Sequence, residues 1–421
     1  MDVISLDNII VENNRVDFHF NVTGKLKKYF KSNHLFFEYN YDLSDVPFSI
    51  LTITFVANVM PLVWITDTTL EINELDKNFK ESINNIRNAY QEMFPRVIFK
   101  GEIKINNIIE NSYQPVHEVA CLFSGGLDAL TTFIRKKAKK PLLITEYGWH
   151  EKTIKNSDVW NADKINAINF AKGYGLNNIL IQSNYGTILN AQEIDYDFQK
   201  RLGDSWWHGL HHGLAIITAA IPIAHKLKIK CINIASSNSP IYKVPCASDP
   251  TVDNLIKYSS GEVFHDAYEL NRQEKVKVVV DYYSKTNAPV NIRVCFKREE
   301  NCCKCEKCLR TMLGIVAEGE DPNNFGFYFD GTLSDHVKHH LNNEVKFFTD
   351  IFIYIYWTII QQRMKENEKN IVYKDLLDWF LDYNFNSQRK KELLKYRIIN
   401  FFPIIIRKIT YKFDRLIIQK S

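Results

Sequence analysis

The residues best placed to do chemistry are Ser124, Gly125 and Gly126, which follow the apolar run Val119–Phe123 and lead into the helix-compatible stretch Leu127–Thr132. That order reads as strand, tight loop, helix. Two successive glycines let the backbone turn its N–H groups into one concave nest, at a helix N-terminus that already favours negative charge. Phosphate is the expected guest. A second constellation lies downstream, where Cys302, Cys305 and Cys308 recur every third residue and Cys295 precedes them. Three thiolates on consecutive turns, with Cys295 folding back as a fourth, suit tetrahedral Zn²⁺. Cys303 is a spare that alternates with Cys302, and spacing alone does not exclude an iron–sulfur cluster. Four protein ligands leave no open position, so such a metal is structural.

Other stretches carry weaker signals. Glu146-Tyr147-Gly148-Trp149-His150 ends the apolar run Pro141–Thr145, and Ser236–Ser239 ends Lys230–Ala235. In parallel sheets such strand ends face the ligand. Trp206–Gly213 packs three histidines and two tryptophans into eight residues, with His208 and His212 on one helix face. Gly209 stands where a His-Glu-x-x-His zinc motif needs its glutamate, so a pocket or packing role is expected instead. Asp266, Glu269, Arg272 and Lys275 are spaced by threes and read as a solvated helix face. No general base is identifiable.

The loop resembles the signature of the PP-loop ATP pyrophosphatases, Ser-Gly-Gly-x-Asp followed by Ser or Thr, with Ala129 where a hydroxyl is usual. The resemblance implies that Ser124, Gly125, Gly126 and Leu127 grip the β,γ-pyrophosphate of ATP while a substrate oxygen attacks the α-phosphorus. Asp128 acts through Mg²⁺, and Ser124 and Asp128 are the catalytic residues. Combined with the cysteine motif and Glu146-Tyr147-Gly148, the chain resembles the 7-cyano-7-deazaguanine synthase family of the queuosine pathway over Val116–Ala317. Members adenylate a carboxylate, let ammonia displace AMP to give an amide, and dehydrate that amide to a nitrile with a second ATP. By this resemblance Glu146, Tyr147 and Gly148 belong to the nucleotide site, and Cys295, Cys302, Cys305 and Cys308 hold Zn²⁺. The additions at both ends imply a divergent paralogue with its own acid or amide substrate, of the 7-deazaguanine type or another. Similar proteins with extra domains occur in anti-phage defence systems and in modification or surface-glycan gene clusters. Two rivals stand beside this reading. One is a sulfur-transferring, tRNA-modifying PP-loop enzyme, which needs a reactive thiol among Cys121, Cys231 and Cys246. The other is a non-catalytic ATP- and zinc-dependent module of a larger complex.

The elements that must position these residues follow from periodicity. Val16–Val22, Leu35–Tyr39 and Ile50–Phe55 read as strands, and Leu75–Met93 as a helix, making residues 1–115 a separate α+β module for dimerisation, packing or substrate recognition. From Glu118 strand and helix alternate, which predicts an α/β fold with a parallel sheet covered on both faces. The expected divisions are therefore 1–115, a PP-loop domain over 116–335 that includes the zinc motif 295–308, and a helical tail over 336–421. In that tail Phe347, Phe348, Ile351, Ile355 and Ile359 form one expected buried face and Leu376, Leu377, Trp379 and Phe380 another. A basic end, Arg389–Lys412, reads as a packing helix or as a membrane-surface or nucleic-acid helix. The 421 residues carry a net charge of only +4, which neither demands nor excludes nucleic acid. No signal peptide and no transmembrane segment are expected: Ile351–Ile360 is too short to span a bilayer. Clustered cysteines without an export signal favour metal and the cytoplasm. No N-terminal cysteine of the glutamine-hydrolysing kind is present, so free ammonia or a partner protein supplies nitrogen.

Overall fold

The computed structural model describes the chain except residues 1, 149–156, 242, 287, 289, 296–299, 344–346 and 398–421, and of 157–159 and 347 only the backbone. It divides into two compact units, Met1–Asn271 and Arg272–Ser421. The first is built on one 11-stranded sheet in the order β10-β11-β9-β6-β7-β8-β3-β2-β1-β4-β5. Its strands are β1 (Val3–Glu12), β2 (Arg15–Val22), β3 (His34–Tyr39), β4 (Thr69–Asp76), β5 (Glu102–Ile109), β6 (His117–Leu122), β7 (Leu142–Tyr147), β8 (Asn178–Ser183), β9 (Ile229–Ala235), β10 (Lys257–Tyr258) and β11 (Gly261–Asp266). Its helices are α1 (Phe48–Thr66), α2 (Lys77–Met93), α3 (Leu127–Lys136), α4 (Ser157–Gly173), α5 (Ala191–Leu202), α6 (His212–Ala219), α7 (Ile221–Lys226) and α8 (Pro250–Asp253). Pairings β11-β9, β9-β6, β6-β7 and β7-β8 are all parallel. Read from β8 to β11 and numbered along the chain, these five strands run third, second, first, fourth, fifth, so the order reverses between β6 and β9. Crevices outside the carboxyl ends of strands at such a reversal are where open α/β sheets bind ligands.

The expected α/β class is therefore seen, but the sheet is mixed. Strand β3 pairs antiparallel with β8, matching Phe37 to Ser183, so residues 1–115 extend the same sheet instead of folding as a module apart. Ile50–Phe55, expected as a strand, lies in α1. Every residue from Ser49 to Ile65 is buried there, and a helix apolar on all sides suits a core position whatever its residues' β propensity. Its polar groups are satisfied internally: the hydroxyl of Thr52 donates to Phe48 O at 2.8 Å, and Asn58 Nδ2 donates to Thr54 O at 2.8 Å. Helix α1 is long and apolar enough to cross a membrane, yet 94% of its most apolar window is buried in the protein. It packs against β4, α6 and α7. Asp266 also departs from expectation. It ends β11, fully buried and held by Thr132, Arg135 and Lys136, rather than sharing a solvated helix face with Glu269.

The second unit contains α9 (Arg272–Thr286), α10 (Glu306–Ala317), α11 (Leu333–Asn343), α12 (Ile351–Glu366) and α13 (Lys374–Phe380). The segment expected as a tail is part of this unit's core. Arg363 binds Glu318 through Nε at 3.0 Å and Nη2 at 2.7 Å, and Asn367 Nδ2 caps Ala317 O at 3.0 Å. The buried side of α12 is Trp357, Ile360 and Met364, with Phe348 beside it. Ile351, Ile355 and Ile359 are only half-buried. Leu376, Leu377 and Phe380 are buried as expected, and Trp379 donates through Nε1 to Ser334 Oγ at 2.8 Å. The basic end beyond residue 397 lies outside the described residues. The boundary after Asn271 puts the cysteine motif in a different unit from the Ser-Gly-Gly loop, because the sheet is complete at β11 and the helices that follow pack on one another.

Candidate functional site

The Ser124–Asp128 loop leaves the carboxyl end of β6, the first strand at the order reversal. Gly125 has φ +74°, a left-handed conformation in which a side chain is strained, and the space over it is open. Gly126 caps α3, and Ser124 is exposed, its Oγ accepting from Gly126 N at 3.4 Å. Ser124, Gly126 and Asp128 line a cavity of about 360 Å³, within the usual range for small-molecule sites. Glu146 from β7 and Ser237 and Asn238 beyond β9 complete its polar wall. Leu127 is buried in the core, and Ala129 lines the cavity.

Of the Glu146-Tyr147-Gly148 segment, Glu146 reaches the cavity. Its Oε1 is buried with no hydrogen-bond partner among the described residues, and burial drives its carboxyl well above the usual carboxylate range against the opposing hydrogen bond from Tyr185. Tyr147 is buried and stacks on Trp160 with centroids 4.6 Å apart. Gly148 (φ +123°) leaves no room for a side chain against the carbonyl of Ser183. Trp149 and His150 lie outside the described residues.

The same cavity is walled by His208, His212 and Cys246. Trp207–His211 forms a π-helical turn, a device that often re-aims side chains at functional sites. Buried His211, kept neutral by desolvation that lowers its pKa to about 3, bonds Asn58 of α1 at 3.0 Å. The turn is thereby anchored, and His208 and His212 stack with centroids 5.7 Å apart. Cys246 arrives on a separate segment fixed by Ala247 N to His208 O at 2.8 Å and Tyr90 OH to Ala247 O at 2.9 Å. Only glycine at 213 permits this approach, since a Cβ there would run into the Ala247 carbonyl. Cys246 Sγ lies 3.6 Å from His208 Nε2 and 3.9 Å from His212 Nε2. The far nitrogen of His208, Nδ1, is hydrogen-bonded to Asp204. Burial opposes ionisation of Cys246, but its bonds to His208 and His212 prevail and draw the thiol down to about 6. Bonds to Asp204 and Cys246 carry His208 up to about 10 against desolvation. The arrangement sets a thiol, an imidazole and a carboxylate in line, with the shifts of Cys246 and His208 both favouring their charged forms. By contrast burial pushes Cys121 up strongly and Cys231 to about 11.

In the second unit the Sγ atoms of Cys295, Cys302, Cys305 and Cys308 all lie within 4.8 Å of one another. Tetrahedral Zn–S bonds of about 2.3 Å require S···S edges of ~3.8 Å, and the Cys302–Cys308 and Cys305–Cys308 separations are 3.9 and 3.5 Å. The donor set therefore fits a metal such as zinc. Cys303 turns away, at φ +53°, buried and directed to Asn301 O at 3.5 Å. Asn301 brings Cys295 back to the cluster: its Nδ2 donates to Ile292 O at 2.7 Å and Gly326 O at 2.9 Å, and its Oδ1 accepts from Val294 N at 3.1 Å.

No protein family matches the chain, and no curated protein or solved structure matches it either. From the sequence, His208 and His212 have a pocket or a packing role and Cys246 is one of three candidate thiols, and nothing there joins them. A signal was present: Asp204, His208 and His212 recur every fourth residue. Cys246, 34 residues beyond His212, has no local pattern to tie it to them.

Proposed function

We propose that the first unit is an ATP-dependent enzyme of the PP-loop kind, akin to the 7-cyano-7-deazaguanine synthases, that adenylates a carboxylate or amide and passes the acyl group to nitrogen. The observation that carries this reading is the Ser124–Asp128 loop, open at the β6–β9 reversal and lining a cavity of about 360 Å³. In this reading the backbone N–H groups of Gly125 and Gly126, with the Ser124 hydroxyl, bind the leaving pyrophosphate and stabilise the charge that builds on it. Asp128 would hold Mg²⁺, which supplies Lewis-acid neutralisation of the phosphates when bound. Glu146, kept protonated by burial, would donate a hydrogen bond to the substrate within the cavity. Ser237 and Asn238 offer further polar contacts. The thiol cluster of the second unit would hold Zn²⁺ in a closed, structural site. The cytoplasm, a small acid or amide substrate, and free ammonia or a partner protein as nitrogen source belong to the same proposal.

The test is exchange of labelled pyrophosphate into ATP, with and without a panel of carboxylic acids. Acid-dependent exchange with AMP formation supports the reading; tight ATP binding without exchange for any acid favours a non-catalytic module. One observation favours the sulfur-transfer reading: Cys246 lines the cavity with a lowered pKa. A persulfide formed on Cys246 by exchange with a sulfane-sulfur donor such as glutathione persulfide, and passage of its outer sulfur to adenylated RNA with a dithiol present to reduce the disulfide left behind, would establish it.

A further inference from the structure

The adenylation reading leaves one group in the cavity unused. A base within hydrogen-bonding reach of a thiol, itself oriented by a third group, is the signature of an activated nucleophile. Cys246, His208 and Asp204 have that order, and Cys246 opens on the same cavity as the Ser-Gly-Gly loop. Packing alone does not account for the cluster, since a structural cysteine in an apolar site has a raised pKa, as Cys121 does.

We propose that Cys246 is a covalent nucleophile, attacking the acyl carbon of the adenylated acid so that the acyl group reaches nitrogen through a thioester on the protein. This rests on the adenylation reading of the same cavity. In the first step the S–C bond forms, the C–O bond to the phosphate breaks, and AMP leaves with that electron pair. His208 keeps the proton it took from the thiol, and Asp204 holds the imidazolium in place. In the second step ammonia or an amine attacks the thioester carbonyl. A C–N bond replaces C–S, the electron pair returns to sulfur as thiolate, and the excess proton on nitrogen goes to solvent. Acid, amine and ATP balance amide, AMP and pyrophosphate with no redox partner. His212, on the other side of the sulfur, supplies a second hydrogen bond to the thiolate.

The charged and titratable groups around the thiol are His208 and His212, with Asp204 behind His208, and Tyr90 from α2, which Asp249 and Asp253 also approach. Glu146 and Tyr185 complete the cavity wall. The histidine pair faces sulfur directly, so ionisation follows it.

The test uses the full chain and two probes that need no ATP. With p-nitrophenyl acetate at pH 7, the expected result is a stoichiometric burst of p-nitrophenolate and an acetyl group on the Cys246 peptide, released by hydroxylamine. With iodoacetamide, Cys246 alkylates ahead of Cys121 and Cys231, at a rate that rises with pH through an apparent pKa near 6. His208→Gln should slow this alkylation at pH 7 on the order of tenfold, because a thiol returned to the ordinary range is only a few per cent ionised. Cys246→Ser should abolish the burst, and circular dichroism establishes that each variant is folded. A folded wild-type protein that gives no burst, an acetyl group on another cysteine, or a Cys246 alkylation profile unchanged by His208→Gln would each overturn the proposal. Because neither probe involves nucleotide, failure here leaves the phosphate-loop reading to pyrophosphate exchange alone.

Discussion

At the scale of single residues, Asp128 and Gly125 test the loop. Asp128→Asn keeps the shape of the first turn of α3 but removes the charge that would hold Mg²⁺ in the proposed site, so pyrophosphate exchange is expected to fall by a factor on the order of 10² or more. Gly125→Val places a β-branched residue at φ +74°, with an expected cost of about 1–2 kcal/mol in thermal unfolding and weaker ATP binding by calorimetry. Glu146 gives a pH test. Its carboxyl is raised by burial, so the folded state holds a proton that the unfolded state releases. Stability from this group is therefore complete below the unfolded carboxylate pKa and is lost as pH rises toward the folded value. Glu146→Gln, which cannot ionise, should flatten that loss in melts between pH 4 and 8; an unchanged pH profile would count against a buried neutral acid. The loop residues and the cysteine motif were legible in the sequence because their spacing is local. Glu146 was legible as a ligand-facing strand end and as one position of a family-like segment, but its raised pKa comes from burial that the sequence does not show.

At the scale of elements, the site is held by contacts between helices. Asn58 in α1 and Gly213 in α6 touch no ligand, yet both set where His208 and Cys246 stand. Asn58→Leu leaves His211 buried without its partner, with an expected loss of about 1–3 kcal/mol, and loosens the π-helical turn. Gly213→Ala drives a methyl group against the Ala247 carbonyl. It should cost about 1–3 kcal/mol and move Cys246 away from its histidines, raising the apparent pKa of alkylation toward that of an ordinary thiol. A Gly213→Ala protein with unchanged stability and an unchanged alkylation profile would show that the close approach is unimportant. Helix α1 also marks a limit of sequence reading. Val, Ile and Thr over Ile50–Phe55 have strand propensity, but complete burial overrides it, and burial on every side produces no periodic pattern to detect.

At the scale of the whole molecule, the two units carry separate cores, and the cysteine cluster belongs to one of them. One equivalent of zinc per chain is expected by elemental analysis, lost with Cys302→Ser and retained with Cys303→Ser, since Cys303 points away from the cluster. Chelation should expose Arg272–Ser421 to protease before Met1–Asn271; equal resistance with and without chelator would remove the structural role for metal. The sequence alone determined what short-range chemistry can encode. Strand, glycine loop and helix, the thiols at three-residue steps, and the alternation that makes an α/β sheet all lie within a few residues of one another, where bond geometry and side-chain period restrict the outcome. Only the tertiary structure decided that residues 1–115 continue the sheet through β3 and β8, that α1 is a core helix, and that the tail folds with α10. It also decided that Cys246 meets His208 and His212 in the cavity lined by the Ser-Gly-Gly loop. Those pairings join segments far apart in the chain, and what selects them is shape, burial and hydrogen-bond satisfaction summed over the whole core, which no local spacing records.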